Sequence, residues 1–140
     1  MTVTRRKALA LGFGGLAAAA LPMPLWAATA DEAMAVFTGG AAMAEGGAIK
    51  LIAPEIAENG NTVPIGVDAP GAVSIALFAT GNPTPEVAVF TFGPAAGSQT
   101  AATRIRLAKT QDVVAIAKMA DGSFVKASST VKVTIGGCGG

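Results

Sequence analysis

Between residues 31 and 135, apolar and polar positions alternate with a period of two more often than with the helical period. Thr103-Arg104-Ile105-Arg106-Leu107 places Ile105 and Leu107 inward and Arg104 and Arg106 toward solvent. Thr130-Val131-Lys132-Val133-Thr134-Ile135 does the same, with Val131, Val133 and Ile135 sharing one face. Shorter runs at residues 62–67, 73–79, 86–92, 111–118 and 124–127 read as further strands. Turn residues separate them: Glu58-Asn59-Gly60-Asn61, Asp68-Ala69-Pro70-Gly71, Gly81-Asn82-Pro83, Gly93-Pro94 and Asp121-Gly122. Short strands punctuated at intervals of about a dozen residues predict a β-sandwich. Asp121-Gly122, followed by Ser123, has the chemistry of a hairpin joining the last two strands. One segment departs from the rule. Over residues 31–44, Ala33, Met34, Phe37 and Ala41 have helical spacing, and the helix is expected to end near Gly39-Gly40.

The first thirty residues follow another pattern. Thr4-Arg5-Arg6-Lys7 is a positive opening, Ala8 to Leu21 an uncharged apolar run, and Ala28-Thr29-Ala30 a small-residue cleavage site, with Leu25-Trp26-Ala27 nearby as an alternative. This predicts an export signal over residues 1–30, and the adjacent Arg5 and Arg6 point to the twin-arginine route for folded proteins, hence the periplasm. The apolar run is short for a membrane span and is followed by Pro22 and Pro24. Removing residues 1–30 takes away three of the ten basic residues. It leaves 7 against 9 acidic ones on 110 residues, a formal charge of −2. No basic field exists for nucleic acid or an anionic membrane, and the length suits one domain.

The 140 residues contain no histidine and no tyrosine. A Ser-His-Asp or Cys-His arrangement is therefore excluded, and one thiol without imidazole cannot supply a usual zinc or copper site. The remaining polar candidates have plain structural readings. Glu55 and Glu58 flank a turn, Asp31 and Glu32 open the helix, and Lys109-Thr110-Gln111-Asp112 reads as a turn. Arg104 and Arg106 could hold an anion, although two arginines on the wet side of an alternating strand ordinarily just face water.

What remains is the ending. Gly136-Gly137-Cys138-Gly139-Gly140 holds the single cysteine of the chain between two pairs of glycines. A packing cysteine is buried as a small hydrophobe, which these neighbours cannot arrange. Cys138 follows the last strand by three residues from Ile135, a reach of at most roughly 10 Å. It has no charged neighbour in sequence, so it should be a mediocre nucleophile until a partner's pocket activates it. Gly136, Gly137, Gly139 and Gly140 give the arm its flexibility and let it enter a narrow channel. Ordering such residues costs roughly 1–2 kcal/mol each, which favours weak docking and quick release. A lone exported thiol is free or joined to another molecule, and a Cys138–Cys138 disulfide dimer is expected in an oxidising compartment. The organisation expected is a signal at 1–30, a carrier domain at 31–135 and an arm at 136–140.

The stretch Val131-Lys132-Val133-Thr134-Ile135-Gly136-Gly137-Cys138-Gly139-Gly140 resembles the C-terminal signature of the SoxY family, sulfur carriers of bacterial thiosulfate oxidation. Residues 53–64 (Ala-Pro-Glu-Ile-Ala-Glu-Asn-Gly-Asn-Thr-Val-Pro) and Arg104-Ile105-Arg106-Leu107-Ala108-Lys109-Thr110-Gln111 are similar to its body. The resemblance implies an all-β, immunoglobulin-like antiparallel sandwich with a short N-terminal helix, paired with the related SoxZ subunit. It implies that Cys138 carries the sulfur covalently. The c-type cytochrome complex SoxAX would load the thiol, the manganese-dependent thiosulfohydrolase SoxB would release sulfate, and the sulfane dehydrogenase SoxCD would oxidise the rest. The chain itself would be a substrate platform with no cofactor and no turnover. Two rivals belong to other classes. One is a ubiquitin-like sulfur-transfer protein with a thiocarboxylate on Gly140, which the export signal opposes. The other is a structural module stapled through Cys138.

Overall fold

Thr29 and Glu32 start the helix by satisfying each other's backbone. The Thr29 hydroxyl accepts from the Glu32 amide at 3.2 Å, and the Glu32 carboxylate accepts from the Thr29 amide at 3.0 Å. Helix α1 (Ala30–Thr38) then runs nine residues and stops at Gly39, whose φ of 65° few other residues adopt. The end falls where the glycines were expected to put it. Cleavage after Ala30 would remove the capping Thr29, whereas cleavage after Ala27 would retain it. In this computed structural model residues 29–135 are described, so the expected arm and all but the last two residues of the expected signal lie outside them. No helix among the described residues is long and apolar enough to cross a membrane.

Nine strands follow: β1 (Met43–Glu45), β2 (Lys50–Ile52), β3 (Ile56–Ala57), β4 (Val63–Asp68), β5 (Ala72–Ala79), β6 (Glu86–Thr91), β7 (Thr100–Ile105), β8 (Gln111–Met119) and β9 (Phe124–Val133). They form two sheets, ordered β1-β9-β8-β5-β6 with β3 also on β9, and β2-β4-β7. This is the β-sandwich expected from the alternation. β4 shows the reason: Val63, Ile65 and Val67 are buried while Pro64 faces out. Pro64 lies beyond Gly66, where β2 ends, so its missing N–H falls where β4 has a neighbour on one side only. β5 alternates in a second sense. Ile75, Leu77 and Ala79 enter the core between the sheets, while Ala76 and Phe78 point to the opposite face, under α1. There Phe37 meets the edges of Phe78 and Phe124 at centroid distances of 6.2 and 5.9 Å. Both faces of β5 are covered, which accounts for its nearly unbroken apolar run.

The structure corrects several details. Residues 124–127 and 130–135 are not separate strands: Ser128 and Ser129 stay in the ladder opposite Val114 and Val113, making β9 one ten-residue strand. That strand ends at Val133, and Ile135 does not join the core face but is 65% exposed. Glu55 and Glu58 flank β3 rather than a turn, and Gln111 and Asp112 already belong to β8. The pairing is not wholly antiparallel, because β1 and β3 both run parallel to β9.

The β8–β9 hairpin is closed by Asp121, whose carboxylate accepts from the Ser123 hydroxyl at 2.6 Å and the Ser123 amide at 2.9 Å. These bonds hold the Asp121 carboxyl below the ordinary aspartate range, the hydroxyl contributing most. Because the folded value lies below the unfolded one, the stabilisation is complete above the unfolded pKa and is lost as pH falls through the folded one. NMR titration should find Asp121 among the more acidic aspartates, and Ser123→Ala should move it back toward the ordinary value.

Candidate functional site

Cys138 and its glycines lie outside the described residues, so the site is built from the root that carries them. β9 is held from both sides up to its last residues. On one side the Lys132 amide donates to the Glu55 carbonyl at 2.9 Å, and the Thr134 amide to the Ala57 carbonyl at 3.0 Å. The Thr134 hydroxyl adds a bond to the Glu58 carbonyl at 3.1 Å. On the other side the Val133 amide donates to the Thr110 hydroxyl at 2.9 Å. The final hold is on Ile135 itself, whose carbonyl accepts from the Gly60 amide at 2.8 Å. The Gly60 carbonyl in turn accepts from the Leu107 amide at 2.8 Å. Gly60 therefore stitches the last described residue to the chain leaving β7. Only glycine fits there: a Cβ would press on the Leu107 carbonyl oxygen and come within 2.9 Å of both the Ile135 carbonyl oxygen and Val133 Cγ1.

A second network fixes the Leu107 side of this junction. Asn82 donates from Nδ2 to the Arg106 carbonyl at 2.7 Å and accepts at Oδ1 from the Ala108 amide (3.0 Å) and from Gln111 Nε2 (2.8 Å). Gln111 Oε1 accepts from the Gly81 amide at 2.8 Å. Gln111 is buried, so a lost partner costs more than one hydrogen bond. Asn82→Ala is expected to lower stability by about 1–3 kcal/mol, read by urea denaturation, and to raise hydrogen exchange at Ala108.

The sequence-predicted residues divide clearly. Ile105 and Leu107 are buried and Arg104 and Arg106 lie on the outer face of that strand, as the alternation requires. The Arg104 guanidinium reaches the Thr62 hydroxyl at 3.5 Å. It stands at the rim of an apolar groove of about 690 Å³ across β2, β4 and β7, lined by Ile52, Pro54, Pro64 and Ala102. Asp31 and Glu32 lie at the helix start, far along the chain from the root. Glu55 and Glu58 are at the root, but through their carbonyls rather than their carboxylates. No group of three or more metal-ligating side chains occurs among the described residues. Sequence reasoning missed Gly60, Asn82, Thr110 and Thr134 as parts of the root. Asn59-Gly60 reads as a turn, and nothing local shows that Gly60 meets residues 107 and 135.

Fold and root together define a class: a β-sandwich whose last strand is pinned to within three residues of its lone thiol. Comparison with protein families then matches residues 33–138 to the sulfur oxidation protein SoxY. The chain belongs to the SoxY family. Among solved structures, the sulfur carrier protein SoxY from Chlorobium limicola f thiosulfatophilum is 39% identical with a TM-score of 0.66, over 75% of this chain and 96% of that one. The superoxide reductase (neelaredoxin) from Ignicoccus hospitalis is 19% identical with a TM-score of 0.54, over 62% of this chain and 80% of that one. At that identity the likeness is one of fold alone. A comparison with curated proteins returns no match.

Proposed function

We propose that this protein is a covalent carrier of thiosulfate-derived sulfur, bound at Cys138 and presented to catalysts that the chain does not contain. The observation that carries this reading is the root. A chain pinned through its Ile135 carbonyl, followed by two glycines and then a cysteine, can reach with its thiol at most about 10 Å from a fixed point. Family membership supports it, because the matched segment runs through Cys138. The absence of histidine from the sequence also fits a thiol that depends on others for activation.

In this proposal SoxZ is the partner subunit, and SoxAX couples thiosulfate oxidatively to the thiol. SoxB then hydrolyses off sulfate, and SoxCD oxidises the sulfur left on the cysteine. The chain works in the periplasm after export by the twin-arginine route, and a Cys138–Cys138 dimer is a storage or dead-end form. The test is the intact mass of the reduced protein after incubation with thiosulfate and the oxidising cytochrome, followed by peptide mapping. The expected result is an increment of one bound thiosulfate on the peptide containing Cys138. No added mass on that peptide during turnover overturns the reading.

A further inference from the structure

The small-residue site Ala28-Thr29-Ala30 and the start of helix α1 share one stretch of chain. A cut after Ala30 severs the Ala30–Asp31 bond, and three hydrogen bonds straddle that bond. The Thr29 amide donates to the Glu32 carboxylate at 3.0 Å, and the Glu32 amide to the Thr29 hydroxyl at 3.2 Å. The Ala33 amide donates to the Thr29 carbonyl at 3.0 Å. Asp31 and Glu32, on the far side of the bond, are exposed. The bond is therefore open to solvent but closed in shape. The turn is also held from below. Ala33 and Met34 pack against the cluster of Ala76, Phe78, Val114, Ile116 and Phe124, and Phe37 sets its ring against Phe78 and Phe124.

A peptidase takes the residues around a scissile bond in extended form, because it pairs with their backbone groups as one strand pairs with another. A helical turn has already used those groups. For the Ala30–Asp31 bond to be cut, the capping box must open and Ala33 must leave its packing. Cutting then follows the small population of locally opened chains. A cut after Ala27 lies ahead of all three bonds and leaves them in the product. We propose that the folded start of α1 shields the Ala30–Asp31 bond from signal peptidase, so that the mature chain keeps Thr29 and its cap. The proposal rests on export by the twin-arginine route, which brings the domain to the peptidase already folded. It reverses the choice that residue pattern alone would make, since Ala28-Thr29-Ala30 is the small-residue site and Leu25-Trp26-Ala27 the alternative.

The test is the amino terminus of the exported protein. The full chain is expressed with its own signal in a host that has a twin-arginine exporter, and the product is read by intact mass and N-terminal sequencing. Hydrolysis after Ala27 adds one water across that bond and leaves Ala28 as the new amino terminus, which is the result expected. Thr29→Ala keeps the cleavage pattern, which fixes the residues on either side of position 29, but deletes the cap. The share of chains beginning at Asp31 should rise about fivefold, the usual worth of an N-cap. Thr29→Ser keeps the hydroxyl and should match the wild type. Phe37→Ala loosens the helix without touching either cleavage pattern and should raise the same product. A leader for export of unfolded chains, joined ahead of Pro22, presents both bonds before the helix forms and should move the cut to Ala30. A wild-type product beginning at Asp31, or an unchanged product ratio in Thr29→Ala and Phe37→Ala, overturns the proposal. So does a chain that keeps its full mass, a failure of the export signal itself and recognised by the uncut residues. The carrier reading fails separately, as absent mass on Cys138 after enzymatic loading.

Discussion

Cys138→Ser is expected to abolish thiosulfate oxidation completely while leaving the melting temperature unchanged. Serine matches the thiol in size, but its hydroxyl cannot form the sulfur–sulfur bond on which the proposed cycle depends. Cys138 is the single cysteine of the chain, and no other side chain can take over. The measurement is substrate-dependent cytochrome reduction in the reconstituted system, with a thermal melt of the variant beside it. The result separates the carrier from the stapled module, for which the same substitution would remove a disulfide-linked dimer and leave turnover intact. It also separates it from a thiocarboxylate mechanism, which would not need the thiol at all.

Gly60→Ala is expected to have the largest effect on stability of any single methyl addition among the described residues. The new Cβ would press on the Leu107 carbonyl oxygen and lie 2.9 Å from both the Ile135 carbonyl oxygen and Val133 Cγ1. Two of these obstacles are backbone, so relief requires moving the strand end and breaking the Gly60–Ile135 bond. Overpacking and a lost hydrogen bond together predict a cost of about 2–4 kcal/mol. For a domain of this size that corresponds to a fall in melting temperature of roughly 10–20 °C. Gly97→Ala is the control, because nothing lies within 4 Å of a Cβ placed there and its φ is not in the left-handed region. It should be nearly neutral, within about 0.5 kcal/mol. Gly60→Ala should also cost sulfur transfer beyond its effect on folding, since the arm would leave from a displaced root. A variant with wild-type stability and wild-type transfer would refute this account of the clamp.

The sequence reveals the sandwich wherever one face is buried and the other wet. β4 and the stretch around Arg104 and Arg106 are cases where a period of two translates directly into burial. The helix was legible from its spacing and from Gly39-Gly40. β1, β2 and β3 were not, because strands of two or three residues carry no period. They exist only through pairing with β9 or β4, a tertiary fact. Ser128-Ser129 hid the continuity of β9, since their place in the ladder depends on backbone bonds to β8 that side-chain polarity does not report. At the proposed site, Cys138 and its glycines stand out in the sequence because composition is itself the signal there. Their anchorage does not. Gly60 is required by the approach of residues 107 and 135, which are distant in sequence, and a turn glycine looks the same in either role.

Parallel pairing gives β9 a mechanical property. β8 runs along one side of it, while β1 and β3 grip its two ends on the other. In the proposed cycle, a pull on the thiol would reach β9 through Ile135. Bonds on both flanks then bear the load together in shear instead of peeling open one after another. A load applied at Ile135 would thus be shared among β8, β3 and Gly60, and the end of the strand would keep its place.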